Sequence, residues 1–391
     1  MAVPAHGEAA MLVTADLHVH LGQDPAGHPV KIPSSRAMTL EAVVARARAF
    51  GLDAVGLVDG LNPCLGAALE SWVAEGRAVP FEAGYHLPES GLALLVGVEC
   101  ELPLPGAGQW AHYVWFPARR ADLARRLGKA LERLRNPCLS TPRLPVDPQE
   151  VASWGGVFFP AHAFTPFRGA LALWPSLYPP KVRWLELGLS ANTAMAAAIP
   201  ALAEVTFLTH SDAHSLEMVG REFTCYDAGD LTPDGVWEAV FQGRVVANVG
   251  VPPALGKYHR ARCRNGHFVE PPDLAQCPEC GAEVVRGVAP RILALGGAET
   301  GSLPRPPYRE RVPWAWVPGF GPGRLSRVRR AFSDLAAREV VDPAWFEAEV
   351  GRGAGLAVHR LRRGELQLFG GGGGRWGRVV LDEAPSGRGQ V

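Results

Sequence analysis

Two short motifs, each following an apolar run, place a pair of metal-binding side chains two residues apart. The first motif contains His18 and His20, and the second contains Asp212 and His214. Side chains at positions i and i+2 of an extended strand leave from the same face, so each pair forms half of a chelate. The first pair alone is also explained as two half-buried strand histidines. Together, however, the two pairs predict two opposite walls of one metal site.

Further apolar runs end in, or contain, a side chain of the same kind. These side chains are Asp59, Glu99, His112 and His162. The alternative for Asp59 is an N-cap of the helix expected near residue 63, and Glu101 is the alternative to Glu99. A carboxylate at position 99 could bridge two metal ions, which a single imidazole cannot do. Strands that alternate with helices over about 250 residues predict a parallel α/β barrel, whose strand ends collect the ligands.

The predicted site has eight nitrogen and oxygen ligands and no thiolate, and this set determines the chemistry that we expect. Such ligands suit two or three Zn²⁺, Mn²⁺, iron or Mg²⁺ ions. Sites with several metal ions activate water and bind the oxygens of a phosphate ester. The sequence therefore predicts phosphoester hydrolysis, with Asp212 and His214 in catalytic positions and Asp212 also orienting the attacking water. Nearby, Lys31 is a candidate phosphate contact, whereas Asp24 and His28 are expected to be solvated loop residues.

A cluster of cysteines beyond the barrel indicates a second, structural metal site. Cys277 and Cys280 have the spacing of a zinc knuckle, and Cys263 with His267 can supply the other two ligands. We therefore predict a small zinc ribbon over residues 256–290, with unliganded thiols as the alternative. The remaining cysteines are most simply small buried apolar residues; they are Cys64, Cys100, Cys138 and Cys225.

The C-terminal part of the chain is rich in arginine, although the whole chain has a formal net charge of zero. From position 305 onward there are 15 arginines against 9 acidic residues. Within it, residues 317–323 resemble the hairpin of a helix-hairpin-helix motif, which presents backbone N–H groups to a DNA phosphate. The candidate DNA contacts are Gly319, Gly321, Gly323, Arg324 and Arg327, with Arg329 and Arg330 adding charge; the alternative is an ordinary glycine/proline turn. We expect a helical domain over residues 305–368 and a flexible tail over residues 369–391.

Length and composition limit the remaining possibilities. A chain of 391 residues with 47% hydrophobic residues is long enough for two or three domains. It contains no signal-peptide pattern and no apolar run of about 18 residues. We therefore expect a cytoplasmic, nucleoid-associated protein with no membrane contact.

The order of these motifs resembles the polymerase-and-histidinol-phosphatase (PHP) superfamily. The matching series is Asp-Leu-His-x-His, a strand closed by Asp, Gly-x-Glu, a strand histidine, Pro-Ala-His and Ser-Asp-Ala-His. The resemblance implies a distorted seven-stranded (β/α) barrel over residues 11–255, up to three metal ions and phosphoesterase activity. The chain departs from the pattern at Gly60, where many relatives carry histidine after the aspartate.

A PHP barrel followed by a zinc ribbon and a helix-hairpin-helix segment resembles the endonuclease Q family. This resemblance implies a repair enzyme that nicks double-stranded DNA 5′ to deaminated bases (hypoxanthine, uracil) or abasic sites. We also expect a monomer with zinc in the ribbon and in the catalytic site, with Mg²⁺ or Mn²⁺ as alternatives in the catalytic site, and a sliding clamp is a candidate partner. Residues 22–35, 85–90 and 165–174 are candidate base-reading loops. The rival hypotheses are a PHP phosphatase acting on a small phosphomonoester and a binding protein whose metal site has decayed.

Overall fold

The strands form one large sheet and several small ones. The computed structural model describes residues 11–132, 134, 136–173, 182–296, 304–335 and 341–380. Its strands are β1 (Met11–Val19), β2 (Ala54–Leu57), β3 (Val79–Pro80), β4 (Gly84–Leu87), β5 (Leu92–Val96), β6 (Val98–Leu104), β7 (Gln109–Phe116), β8 (Val157–Pro160), β9 (Trp184–Glu186), β10 (Thr206–Leu208), β11 (Phe223–Ala228), β12 (Val245–Gly250), β13 (Arg262–Cys263), β14 (Val284–Val285), β15 (Tyr308–Glu310), β16 (Gln367–Phe369) and β17 (Arg378–Val380). The large sheet has the order β15-β12-β11-β1-β2-β5-β4-β3, and β6-β7-β8 form a three-stranded sheet. The pairs β9-β10, β13-β14 and β16-β17 complete the set.

Helices connect and cover these strands. In the described residues they are α1 (Leu40–Phe50), α2 (Pro63–Ala74), α3 (Arg120–Leu131), α4 (Pro148–Ser153), α5 (Ala170–Leu173), α6 (Thr193–Ala197), α7 (Pro233–Gln242), α8 (Val288–Gly296), α9 (Pro322–Ala331), α10 (Pro343–Trp345) and α11 (Ala354–Arg363). None of the helices in the described part of the chain has both the length and the apolar character needed to cross a bilayer.

The structure confirms a mixed α/β fold, but strand directions differ from the parallel arrangement expected from the sequence. Strands β1, β2 and β5 are parallel, as are β9 and β10. Strands β6, β7 and β8 are antiparallel, and β11 is antiparallel to both β1 and β12. For β6 and β7 the reason is local, because a tight turn with φ of +76° at Gly106 and +63° at Gly108 joins them into a hairpin. The expectation of an all-parallel barrel is therefore wrong for these strands, and a closed seven-stranded barrel remains a prediction.

Gly97 and Gly60 each lie so close to a neighbouring backbone oxygen that a side chain would not fit. The apolar run over residues 92–99 is two strands, interrupted at Gly97, where a Cβ would lie 2.7 Å from the backbone oxygen of Trp115. Glu99 consequently belongs to the start of β6 and does not close β5. At Gly60 a Cβ would lie 2.6 Å from the Gly97 oxygen, so this backbone approach leaves no room for a side chain.

Helix boundaries follow local capping chemistry. Helix α1 begins after Thr39, whose side chain accepts a hydrogen bond from the Ala42 N–H, and it ends at Gly51 with φ of +98°. The N-cap of α2 is Asn62, so the alternative role for Asp59 as an N-cap does not apply.

Proline and glycine interrupt two helical regions. Helix α6 ends at Ala197 and is followed by a 3₁₀ turn, Pro200–Leu202. The helical region over residues 343–363 is interrupted, because Gly351 and Gly353 have φ of +121° and +80°.

The predicted flexible tail is ordered where the structure describes it. The Gly371 N–H donates to the Ala254 oxygen at 2.8 Å, and the Gly377 N–H donates to the Leu255 oxygen at 2.9 Å. Gly371 and Gly372 are buried, and β16 pairs with β17. The expectation of a flexible tail is therefore wrong for residues 369–380, because glycine permits this close packing against Ala254 and Leu255. Residues 381–391 lie outside the described residues.

Candidate metal centres

The histidine and carboxylate side chains predicted from the motifs meet at one end of the strands. In the described residues they form three overlapping groups whose ligand atoms lie within 4.8 Å of one another. The groups are His18, His20 and Glu99; His20, Asp212 and His214; and Glu99, His112 and His162. Isolated bridges from Val19 to Ala213 and from Asp59 to Val98 hold the contributing strand ends together. Seven of the eight predicted ligands therefore converge.

Glu99 lies at the centre of this arrangement. Its Oε1 is 2.8 Å from His112 Nδ1 and 3.5 Å from His18 Nε2, while its Oε2 is 3.1 Å from His20 Nε2. Burial alone would raise the pKa of Glu99, but His112 and Lys31 lower it well below its usual range. The carboxylate is thus ionised, with its two oxygens facing different histidines, as a bridging ligand requires.

Glu101 has a different environment from Glu99. Its carboxylate pairs with Arg143 at 2.8 Å and Arg168 at 3.0 Å. A hydrogen bond from His112 and these guanidinium groups lower the pKa of Glu101 to about 2. Glu101 is outside the three groups, so the structure favours Glu99 over this alternative.

Asp59 is the eighth predicted ligand, and it lies behind His20. Its Oδ1 is 3.2 Å from His20 Nδ1, and its Oδ2 accepts the Leu21 N–H at 2.6 Å. The carboxylate belongs to none of the three groups. The direct-ligand prediction is therefore corrected: Asp59 is placed to orient His20, because a carboxylate on the outer ring nitrogen fixes the direction of the inner one.

Glu186 and His210 belong to the site but were not among the predicted ligands. Glu186 lies 3.1 Å from His18 Nδ1 and 3.0 Å from His210 Nδ1, and it accepts the His162 N–H at 2.6 Å. Burial would raise the pKa of Glu186, but His18 and His210 lower it below the usual carboxylate range. The available signal was a strand closed by a carboxylate, the same pattern that identified Glu99.

The unpartnered atoms of the site fit a bound cation. His18 Nε2, His20 Nε2 and Glu99 Oε1 are buried, and although other site atoms lie close to them, none forms a hydrogen bond of normal geometry with them within the described part of the chain. Buried polar groups are nearly always satisfied, so such a cluster indicates a missing partner of positive charge. Burial also lowers the pKa of His214 to about 4, although Asp212 opposes this, so the imidazole is neutral and able to bind a metal near pH 7.

The backbone around the site is unusual. Among the described residues, positive φ outside glycine occurs at Thr141 (+54°), His162 (+33°) and Asp212 (+47°). All three contribute to this region, since the Thr141 hydroxyl donates to Glu99 Oε2 at 2.6 Å. Such conformations cost about 1–3 kcal/mol each and concentrate where function requires a particular geometry.

A cleft of about 560 Å³ opens onto these groups. Two of the three predicted base-reading loops contribute to it, through Lys31 from residues 22–35 and Phe167 from residues 165–174, although Trp174 lies outside the described residues. The loop at residues 85–90 does not line it, because Tyr85 contacts Glu70 and Arg120 elsewhere. The C-terminal segment supplies Trp376 to the cleft wall.

The four residues of the predicted zinc ribbon also come together. Cys263 Sγ is 3.8 Å from Cys280 Sγ, and Cys277 Sγ is 3.6 Å from His267 Nδ1. Burial acts to raise the pKa of Cys263, but hydrogen bonds, first from the His267 backbone, lower it to about 7. This set therefore has the composition and proximity of a Cys₃His site.

The predicted DNA-binding turn leads directly into α9. Gly319 has φ of +88°, and Gly321 is the N-cap residue of α9, with no side-chain hydrogen bond at the cap. A Cβ at Gly321 or Gly323 would meet nothing within 4 Å among the described residues, so the first turn of the helix faces open space.

The neighbouring arginines are partly engaged within the protein. Arg324 donates to the Gly319 oxygen at 2.9 Å, and Arg327 contacts the Glu349 oxygen at 3.4 Å. Arg329 forms an ion pair with Glu217 at 2.9 Å. Arg329 therefore attaches α9 to the segment after β10, which corrects its predicted role as a phosphate contact.

Comparison with known proteins shows which proteins this chain resembles in sequence and structure. No family model matches the chain. The uncharacterized protein YqxK of Bacillus subtilis is 30% identical over 384 residues, which cover 94% of this chain and 99% of that protein. The solved lesion-specific endonuclease PfuEndoQ from Pyrococcus furiosus matches with a TM-score of 0.78 and 27% identity, covering 95% of this chain and 96% of the other. The chain belongs to the PHP superfamily and is endonuclease Q-like.

Two further similarities extend this result. An endonuclease Q structure in complex with a 27-mer duplex carrying an abasic lesion at the active site has a TM-score of 0.81 and 28% identity, over 95% of this chain and 97% of the other. The uncharacterized protein MJ0043 of Methanocaldococcus jannaschii is 29% identical over 245 residues, but these are only 31% of its own length. The chain is thus a metal-dependent nuclease or phosphoesterase, in agreement with its groups of metal-binding residues.

Proposed function

We propose that this protein is a DNA repair endonuclease that hydrolyses the phosphodiester 5′ to a deaminated base, hypoxanthine or uracil, or to an abasic site. The observation that carries the proposal is the similarity, over 95% of the chain, to an endonuclease Q bound to duplex DNA with an abasic lesion. The convergence of the predicted ligands at the cleft supports it.

The residues proposed to hold the catalytic metal ions are the members of the three groups: His18, His20, Glu99, His112, His162, Asp212 and His214. Bound divalent ions would supply an activated water and charge neutralisation at the phosphate. Asp212, whose Oδ1 lies 3.6 Å from both His18 Nε2 and His20 Nε2, is proposed to orient the attacking water. Lys31, which lines the cleft with its ammonium 2.8 Å from Glu99, is proposed to contact the scissile phosphate.

We divide the chain into a catalytic barrel over residues 11–255, a zinc ribbon over residues 256–290 and a helical domain over residues 305–368. The ribbon and the helical domain are proposed to hold the duplex. The uncapped first turn of α9 offers backbone N–H groups to a phosphate, and its glycines permit close approach. In the cleft, Tyr258 and Trp376 provide aromatic surfaces for an extruded base, because any base can stack on an aromatic ring.

The test uses labelled duplexes that carry one deoxyinosine, one deoxyuridine or one abasic site, each incubated with Mg²⁺ or Mn²⁺. We expect a single nick immediately 5′ to the lesion and no cleavage of the undamaged duplex. Asp212→Ala should reduce the nicking rate at least 100-fold, because it removes a carboxylate from the centre of the site. Asp273→Ala, which changes an exposed carboxylate in the ribbon, is the matched control and should retain activity.

A different product would identify the rival function. If none of the duplexes is nicked while a generic phosphomonoester is hydrolysed, the protein is a small-molecule phosphatase and the DNA repair proposal fails.

A further inference from the structure

A fourth group of metal-binding side chains lies outside the catalytic cleft and the ribbon. It consists of Asp24, His28, Cys64 and Cys138, whose ligand atoms all lie within 4.8 Å of one another. These residues come from three separate segments: the loop after β1, the first turn of α2 and the segment before α4. The sequence suggested solvated loop residues and unrelated small cysteines, so their convergence is a finding of the structure.

The group is held in place by a buried carboxylate and a bridging amide. The Asp24 side chain is fully buried, and its Oδ1 accepts the Ala26 and His28 N–H groups at 2.9 Å each. Its Oδ2 lies 3.2 Å from His28 Nδ1 and accepts a hydrogen bond from Asn62 at 3.2 Å. Asn62 also donates to the Cys138 oxygen at 3.0 Å and caps α2. Asn62 thus joins all three segments behind the ligand atoms.

The chemistry of the four side chains favours a cation at their centre. A buried carboxylate is costly unless a positive charge compensates it, and no lysine or arginine pairs with Asp24 in the described residues. Two thiolates, one imidazole and one carboxylate form a complete four-coordinate set, which is characteristic of a structural zinc site. With a divalent ion this set has a net charge of −1, the same as Cys₃His.

We propose that Asp24, His28, Cys64 and Cys138 bind one structural zinc ion that fastens the loop after β1 to the segment before α4. In a tetrahedral zinc site neighbouring ligands lie about 3.3–3.8 Å apart, so only a small contraction of the present group is needed. This zinc ion would be separate from the catalytic metal ions and from the ribbon zinc, because none of its ligands belongs to either of those sites.

The consequence of this zinc is mechanical support of the catalytic cleft. The same two segments continue to the cleft and are joined there by the Ser140 N–H, which donates to the Val30 oxygen at 2.9 Å. The Ser140 hydroxyl lies 3.1 Å from His20 Nδ1, and Lys31 and Thr141 both contact Glu99 Oε2. A zinc ion that joins the two segments at Asp24, His28 and Cys138 would keep Ser140, Lys31 and Thr141 in position against His20 and Glu99.

The experiment measures zinc content and the reactivity of individual thiols in the full-length protein. We expect the wild-type protein to hold one more tightly bound zinc per chain than Cys64→Ser/Cys138→Ser, by elemental analysis after desalting. Cys225→Ser, which changes a cysteine outside every metal-binding group, is the matched control and should keep the full zinc content. Mass mapping after alkylation should find Cys64 and Cys138 protected in the zinc-loaded protein and modified after chelation.

A milder variant separates loss of the ion from loss of the fold. His28 has a side chain that is 58% exposed, so His28→Gln should fold normally and yet bind the additional zinc at least tenfold more weakly. Equal zinc content in the wild type and both variants would overturn the proposal. The proposal would also be overturned if protein freshly prepared under reducing conditions yielded a peptide in which Cys64 and Cys138 are joined by a disulfide.

Discussion

At the scale of single residues, Glu186 connects three residues of the site although it was not among the predicted ligands. Its carboxylate contacts the outer nitrogens of His18 and His210 and accepts the His162 N–H. Carboxylates in this position orient metal-binding imidazoles and raise their basicity, and their removal usually weakens metal binding 10–100-fold.

Glu186→Gln is therefore expected to bind Mn²⁺ about 10–100-fold more weakly than the wild type while remaining folded. Calorimetric titration of metal-depleted protein measures this directly. Glu82→Gln, which changes a surface carboxylate paired with Arg119, should bind like the wild type. An unchanged affinity in Glu186→Gln would show that the carboxylate does not orient the ligands.

Glu222 predicts a dependence of stability on pH. Burial raises its pKa from 4.5 to about 7, although the ion pair with Arg221 opposes the shift. The folded protein therefore holds a proton that the unfolded chain releases near pH 4.5, so this contribution to stability is fully present below pH 4.5 and is lost as the pH rises through 7.

Glu222→Gln cannot release this proton. Its free energy of unfolding should therefore increase relative to the wild type, by up to about 3 kcal/mol, between pH 4.5 and pH 8. Urea unfolding of both proteins at the two pH values provides the comparison. A constant difference across this range would contradict the raised pKa.

The sequence predicted seven members of the site because each lies in a local strand-end pattern. It did not predict that Asp59 stands behind His20, since the direction of a carboxylate at a strand end depends on the neighbouring strand. It also missed Glu186 and the backbone strain at His162 and Asp212, which arise from contacts among distant segments.

At the scale of secondary-structure elements, the ends of β2 and β6 approach each other through glycine. The Gly60 N–H donates to the Gly97 oxygen at 2.9 Å, and a Cβ at position 60 would lie 2.6 Å from that oxygen. This close approach leaves no room for a side chain at position 60.

Gly60→Ala should accordingly lower the free energy of unfolding by about 1–3 kcal/mol, because the added methyl group must push the two strand ends apart. Gly66→Ala in α2 is the control, since a Cβ there meets nothing within 4 Å in the described structure and alanine favours the helix. In denaturant unfolding, the free energy of unfolding should decrease for Gly60→Ala and increase for Gly66→Ala, relative to the wild type. If Gly60→Ala is as stable as the wild type, the steric explanation is wrong.

Helix starts such as those of α1 and α2 could be predicted because caps and prolines are local signals. Strand direction could not, because whether a strand joins its neighbour in parallel depends on the connecting turn and on the rest of the sheet. The hairpin of β6 and β7 is the clearest example.

At the scale of the whole molecule, one buried carboxylate connects α9 with α1, more than 270 residues earlier in the chain. Asp334 contacts Arg46 at 2.6 Å and Arg329 at 3.1 Å, and Arg329 also pairs with Glu217. These ion pairs link α1, the segment after β10 and α9.

Asp334→Asn should loosen this attachment, because it leaves two partly buried guanidinium groups without their carboxylate. We expect faster hydrogen exchange at the amides of residues 322–334 and weaker binding of duplex DNA, with unchanged metal binding at the cleft. Asp273→Asn should show neither change. Wild-type exchange rates in Asp334→Asn would mean that apolar packing alone holds the unit.

The motifs predicted a barrel, a zinc ribbon and a helical domain in this order, and that division of the chain stays a prediction. The flexible tail was expected from residue 369 onward because of its glycine-rich composition. The packing of residues 371–374 depends on backbone contacts with Ala254 and Lys257, which no local pattern reveals.

The position of β1 in the large sheet also has a consequence for synthesis of the protein. Asp16 accepts hydrogen bonds from Ser211, which is synthesised 195 residues later. At a synthesis rate of about 5–20 residues per second, His18 and His20 are therefore present roughly 10–40 seconds before Asp212 and His214 are added to the chain. The nascent chain lacks part of the proposed ligand set during that time, so the complete set can bind metal only after residue 214 has been synthesised.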